Sequence, residues 1–320
     1  MDPMKDDRYS CLDRAALLDP DQSLNSEWSL ANRHGVSASA SVLGTRTRAN
    51  HGLLVTTTVD GHRRVLVAKL DEEIEIEEAD GGERFQLATN EYHDGTLQPN
   101  GYLYLDRVCR DPGHVQWWYR ARDVTIEKTI SLLPRSPAAV IRYRLVDSRR
   151  PVNLRVMPFL TNRDVEGRTH GSLDWRFSVE SWPNGLIARA WDGALPVGLA
   201  AWSARHGHVR SATFIETGLW YWRFLLRAER DQGFEPCEDL YTPGLFAFSL
   251  NVGDEATILL TADVNHAADP HRLEVRLAHD NAVDTLRRRA NSALEPVVPP
   301  WLAAQATPNA AWMAPVASGR

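Results

Sequence analysis

Residues 124–160 read VTIEKTISLLPRSPAAVIRYRLVDSRRPVNLRVMPFL. Three runs of mostly β-branched and aliphatic residues, VTIEKTISLL, AAVIRYRLV and VNLRVMPFL, are separated by Pro-Arg-Ser-Pro and by Asp-Ser-Arg-Arg-Pro. Apolar and polar residues alternate along them with the two-residue period of a half-buried strand, and proline breaks the pairing between them. Working outward, the same grammar covers residues 24–263. HGLLVTTTV, RRVLVAKL, EIEIEE, WRFSVES, LIARAW, ATFIETG and EATILLTAD all read as strands with Gly, Pro, Asp or Asn between them. Almost no helical period interrupts this span. That many strands in one chain predict an all-β fold, a large antiparallel sandwich of two sheets packed face to face. In the acidic run Asp71 to Glu78, Ile74 and Ile76 share one face, so it reads as a solvated strand edge that charge protects from aggregation.

The sandwich is expected over 24–268, after an N-terminal lead of 1–23. Asp269-Pro270 supplies an N-cap and a proline at the first helical position, so a linker helix is expected over 269–292. Residues 293–320 are rich in Pro and Ala, with Trp301 and Trp312 as large anchors. A disordered tail is expected there.

The chain has 320 residues, 43% hydrophobic and 24% charged, enough for a sizeable core. A net charge of -6 argues against nucleic acid or an anionic membrane as the main partner. The start lacks the apolar run of a signal peptide, and no stretch approaches the ~18 apolar residues of a membrane span. Cys11, Cys109 and Cys237 are odd in number, far apart and in no CxxC arrangement. A reduced, cytoplasmic location without a disulfide framework is the expectation.

Two aromatic clusters, Trp117-Trp118-Tyr119 and Trp220-Tyr221-Trp222, stand among 11 tryptophans. Core packing is the first reading for them, and the alternative is a carbohydrate platform on which the C–H face of a pyranose stacks. Sugar hydroxyls also need planar, paired donors and acceptors. Two polar stretches supply them: NEYHDGTLQPNGYLYL (90–105), with Tyr102 and Tyr104 on one strand face, and TNRDVEGRTHGSLDW (161–175). His206 and His208 have the spacing of one strand face but no third ligand, so no metal is expected. No phosphate loop, GxSxG elbow or HExxH motif is present. Nothing in a strand-rich sequence designates a carboxylate pair for glycoside hydrolysis, so no catalytic residue is assigned and no cofactor is expected.

Several motifs resemble the N-terminal domain of the bacterial and archaeal glycogen debranching enzymes of the amylo-α-1,6-glucosidase type. They are EWSLANRHGVSAS (27–39), RTRANHGLLV (46–55), AKLDE (68–72), NEYHDGTLQPNGYLYL, MPFLTNRD (157–164) and RAERDQGFEPCEDLYTPGLFAF (227–248). The resemblance spans about residues 25 to 290. It implies a galactose-mutarotase-like β-supersandwich that packs on a catalytic α/α-toroid and helps bind α-glucan, glycogen or a maltooligosaccharide. The toroid would follow residue 290, so the catalytic domain is expected to be absent from this chain and to act, if at all, as a separate partner chain. By the same resemblance the glucan-facing residues would be Arg48, His51, Asn90, Glu91, Tyr92, Asp94, Tyr102, Tyr104, Asn162, Arg163, Asp164 and His170. The chain departs from the family pattern at Val36-Ser37, Ala49-Asn50, Asn162 and Val165, where three tyrosines are lost. Two other readings stay open: a stand-alone mutarotase-like or epimerase-like enzyme using His51 or His170 with a carboxylate, and a scaffold that kept its core and lost its site.

Overall fold

The computed structural model describes residues 10–77, 82–205 and 208–266. The expected linker helix, the expected tail and His206 lie outside them. The chain opens with β1 (Ser10–Asp13), α1 (Arg14–Leu17), α2 (Pro20–Asn25), β2 (Glu27–Ala31), β3 (Ser37–Ser41) and β4 (Gly52–Thr57). Next come β5 (Arg63–Ile76), β6 (Glu83–Gln86), β7 (Thr89–Glu91), β8 (Leu97–Asn100) and β9 (Leu105–Arg110). The middle of the chain forms β10 (His114–Ala121), β11 (Val124–Leu132), β12 (Ala138–Asp147) and β13 (Val152–Asp164). After it follow β14 (Ser178–Trp182), β15 (Gly185–Arg189), β16 (Val197–Arg205) and β17 (His208–Ser211). The last described elements are β18 (Thr213–Leu225), α3 (Arg227–Asp231), β19 (Cys237–Leu250) and β20 (Glu255–Thr261).

Every pairing is antiparallel. One ten-stranded sheet runs β1-β9-β10-β11-β12-β20-β16-β15-β14, with β17 on β16. An eight-stranded sheet runs β18-β19-β13-β5-β4-β3-β2, with β6 on β5, and β7 and β8 form a hairpin of their own. The predicted all-β sandwich is what the chain builds. The alternation read in 124–160 is realised strand by strand. Val124, Ile126 and Ile130 of β11, Ile141, Tyr143 and Leu145 of β12, and Val152, Leu154 and Val156 of β13 all enter one core between the sheets. Trp28 and Trp117 meet edge to face at its centre, 5.4 Å apart, and their indole N–H groups donate to the Ser41 and Val42 carbonyls. Burying that many large side chains, each worth about 1.5–3 kcal/mol, is the main force holding the sheets together.

Four expectations are corrected. RRVLVAKL and EIEIEE are one strand, β5, in the interior of the eight-stranded sheet and not at a solvated edge. Ile74 and Ile76 do face the core, while Glu73 and Glu75 receive Arg155 at 2.9 and 2.7 Å. Glu72, buried between the sheets, accepts from Lys128 Nζ (2.6 Å) and the Tyr143 hydroxyl (2.8 Å). Tyr102 and Tyr104 lie in a single 3-10 turn, Gly101–Tyr104, so they do not share a strand face. Gly101 explains the turn: a Cβ there would sit 2.1 Å from the Leu87 carbonyl, so only glycine lets the chains cross.

Cys11 and Cys109 form a disulfide. They face each other across β1 and β9, a register that brings together positions 98 residues apart. Cys237 is a free thiol. The fourth correction is to the N-terminal lead, which from Ser10 onward is part of the sandwich. Arg14 donates to the Leu103 and Leu105 carbonyls, tying α1 to β9. Among the described residues no helix is long and apolar enough to cross a membrane.

Candidate functional site

A layer of loops covers the outer face of the eight-stranded sheet. It consists of residues 42–51, the β7–β8 hairpin, residues 165–177 and α3. Beneath it Ala68, Phe159, Phe224 and Leu240 form a small apolar patch of their own. Charged side chains hold the layer down. Glu238 of β19 is fully buried and receives four donors. Arg46 Nη1 lies 2.5 Å and Arg163 Nη2 2.9 Å from Oε2, while Arg163 Nε and the Thr169 amide (3.2 Å) reach Oε1. Burial alone would raise the Glu238 carboxyl, but Arg46 and Arg163 overcome it and hold the group at about 2. Burial also pulls the Arg46 guanidinium below its ordinary value, against Glu238. Arg163 Nη2 also donates to the Ala49 carbonyl (2.8 Å), pinning the 42–51 loop.

Two further clusters complete the layer. Glu91 is buried and bound at both oxygens by Arg227, which reaches on to Asp21 of α2 at 3.0 Å. Lys69, also buried, donates to Asn90 and to the Thr89 carbonyl and lies 2.8 Å from Asp71. Desolvation lowers its ammonium from the ordinary value, with Asp71 opposing. Between these clusters is a cavity of about 10 Å³ beside Arg46, Lys69, Asn90 and Glu91. That is room for one water molecule. Arg46 Nη2 has no protein partner among the described residues, and a water there would satisfy it.

The residues singled out from the sequence therefore divide. Asn90, Glu91 and Arg163 meet in one neighbourhood, but as buried members of the lattice and not as a rim. Asn162 points elsewhere: it accepts from Arg64 (2.9 Å) and donates to the Leu195 carbonyl (2.8 Å). Asp94 and Asp164 are exposed and each caps its own turn, accepting from the Thr96 and Glu166 amides. Tyr92 is half-buried against Phe224, and burial pushes its phenol up to about 12. Tyr102 and Tyr104 pack on the core, and His170 is exposed.

Arg48 donates to Glu27 at 2.7 Å. His51 is buried, and desolvation, with Arg48 and Arg46 nearby, lowers it to about 3. It is thus the neutral imidazole at neutral pH. Nδ1 accepts from the Thr47 amide, and the 3.7 Å approach of Nε2 to Glu27 is not an ion pair. Among the described residues no group of three His, Cys, Asp or Glu could hold a metal.

Sequence reading missed Glu238, Arg46 and Arg227. The signal for Glu238 was present: it shares a strand face with Leu240, so alternation places a carboxylate under the loops, where it needs a cation. The cluster Trp220-Tyr221-Trp222, singled out from the sequence, lies along one side of the sandwich, where β18, the end of one sheet, runs close to the β14–β15 turn of the other; what sequence reading missed is that Trp175 joins its tryptophans in a row. Trp222 and Trp220 lie 6.1 Å apart with nearly parallel rings, and Trp220 lies 5.0 Å from Trp175. Trp220 donates to the Trp175 carbonyl and Trp175 to that of Ala190, the residue before Trp191. Gly171 crosses this row; a Cβ there would stand 2.6 Å from Trp220 and 3.0 Å from Trp222. Trp222 and Trp191 are 41% and 47% exposed, whereas Trp117 is buried.

The fold and this charged layer define a two-sheet β-supersandwich with a fixed loop face. The chain matches the family described as glycogen debranching enzyme N terminal over residues 26–257 and belongs to it. Comparison with curated proteins gave no match. Among solved structures, a bacterial glucoamylase complexed with acarbose is similar at 10% identity and a TM-score of 0.32. The match covers 80% of this chain and 37% of that one, a likeness too distant to bear on the site.

Proposed function

We propose that this chain is a non-catalytic β domain that takes part in α-glucan breakdown, acting with a catalytic α/α-toroid domain and helping to hold the glucan. The family match over residues 26–257 carries this reading. The state of the buried carboxylates supports the non-catalytic part. Both oxygens of Glu91 are occupied by Arg227, and Glu238, buried among four donors and held at about 2, has no proton to exchange with a substrate near neutral pH. His51, buried and held at about 3, is equally unsuited to the epimerase reading.

The test is twofold. Purified chain incubated with limit dextrin should release no glucose; release abolished by an active-site-directed glucosidase inhibitor would overturn the non-catalytic assignment. Titration with maltoheptaose, followed by NMR, should give a dissociation constant on the order of a millimolar, as suits an isolated accessory domain, or roughly 4 kcal/mol. Absence of any chemical-shift change at several millimolar would refute glucan binding and leave a scaffold.

A further inference from the structure

We infer that the aromatic row from Trp222 to Trp191, not the charged loop layer, is where this domain binds α-glucan; the inference rests on the glucan reading above. A glucose unit has an apolar C–H face and a rim of hydroxyls, so its site needs exposed flat rings beside polar groups that are not already paired. The loop layer fails on the second count, because Asn90, Glu91, Arg163 and Glu238 are buried and fully engaged. The row meets both.

Trp222 exposes 41% of its surface, Trp220 and Trp175 form a half-buried floor beside it, and Trp191, 47% exposed, follows Ala190, whose carbonyl Trp175 reaches. Neither exposed ring is loose. Trp222 is backed by Trp220 at 6.1 Å. Trp191 lies under the Arg64 guanidinium at 5.7 Å, and Asn162 holds Arg64 by two bonds of 2.9 Å. A ring already fixed by its neighbours loses little freedom when a sugar stacks on it.

The polar complement stands beside the row. Gly218, with φ +63°, has no Cβ to cover the spot; a Cβ would come 3.1 Å from the Tyr241 hydroxyl and 3.4 Å from Arg176 Nη1. Among the described residues Glu216, on the same strand, receives one long 3.4 Å bond, from Ser181 Oγ. Arg176 and Glu216 are both exposed, and neither is in an ion pair among the described residues. A planar guanidinium and a carboxylate so placed can bind vicinal hydroxyls. A purely apolar protein partner would leave both unpaired and partly desolvated, which disfavours it.

The experiment titrates maltoheptaose into wild type and into Trp222→Ala, Trp191→Ala, Arg176→Ala and, as a control, Trp118→Ala on the other sheet, reading chemical shifts of the indole N–H groups. The three row variants should each weaken binding about five- to tenfold, with unfolding midpoints near wild type, and Trp118→Ala should bind as wild type does. Wild-type binding that survives unchanged in the Trp222 and Trp191 variants would overturn the row while leaving the glucan reading intact. No binding by wild type would overturn the glucan reading itself, and the row with it.

Discussion

Replacing Glu238 by Gln tests whether the buried charge lattice holds the loop layer in place. The substitution keeps the shape of the side chain and removes its charge. Glu238 is fully buried, and its carboxyl sits at about 2 in the folded protein against an ordinary value of 4.5. A depressed folded value contributes stability that is fully present above 4.5 and is lost as pH falls from 4.5 through 2. The 2.5-unit gap corresponds to roughly 3 kcal/mol at pH 7. An independent route gives a similar size: removing one partner of a buried ion pair costs about 3–5 kcal/mol, because the other charge is left uncompensated. Here Arg46 and Arg163 would both be left facing an amide whose N–H₂ end repels one of them.

We therefore expect E238Q to lose roughly 3–5 kcal/mol in urea unfolding at pH 7, with a midpoint drop on the order of 10 °C in thermal scans. The gap between wild type and variant should narrow with acid, from roughly 3 kcal/mol at pH 7 to roughly 1.5 kcal/mol at pH 3. A loss below about 1 kcal/mol, or a gap that does not change between pH 7 and pH 3, would refute the reasoning.

Three other outcomes follow from the geometry. His51, held at about 3 against an ordinary 6.5, should keep the neutral tautomer with its proton on Nε2 from pH 8 down to pH 4; an imidazole titrating near 6.5 in a nitrogen-detected NMR series would contradict its burial. Its neutral burial adds stability present above 6.5 and lost as pH falls toward 3. Alkylation of denatured, unreduced protein should label Cys237 alone, and all three cysteines after reduction; three labels without reductant would show Cys11 and Cys109 to be free thiols. Gly171→Ala should destabilise by about 1–3 kcal/mol and change tryptophan fluorescence, since its Cβ would enter the space of Trp220 and Trp222; an unchanged spectrum and midpoint would place that segment elsewhere.

Which segments are strands, and which of their faces are apolar, was legible in the sequence, because side-chain alternation is a local property with a two-residue period. Val124, Ile126 and Ile130 could be assigned to the core from position alone, as could Ile74 and Ile76. The family, too, was legible in short motifs such as HGLLV and TNRD. What needed the tertiary structure is everything that depends on which strand lies beside which. The Cys11–Cys109 pairing exists only because β1 joins the ten-stranded sheet next to β9. β5 lies between β4 and β13 and is no edge, which no local pattern in its acidic stretch reveals. Asn90, Glu91 and Arg163 read as solvent-facing because they are polar and sit among turn residues. They are buried because Lys69, Arg227 and Glu238, from 21 to 136 residues away in the chain, bring a hydrogen bond to Asn90 and opposite charge to Glu91 and Arg163. A buried charge is tolerated only when paired, and the partner of a charge is a fact of three-dimensional contact that residue order does not contain.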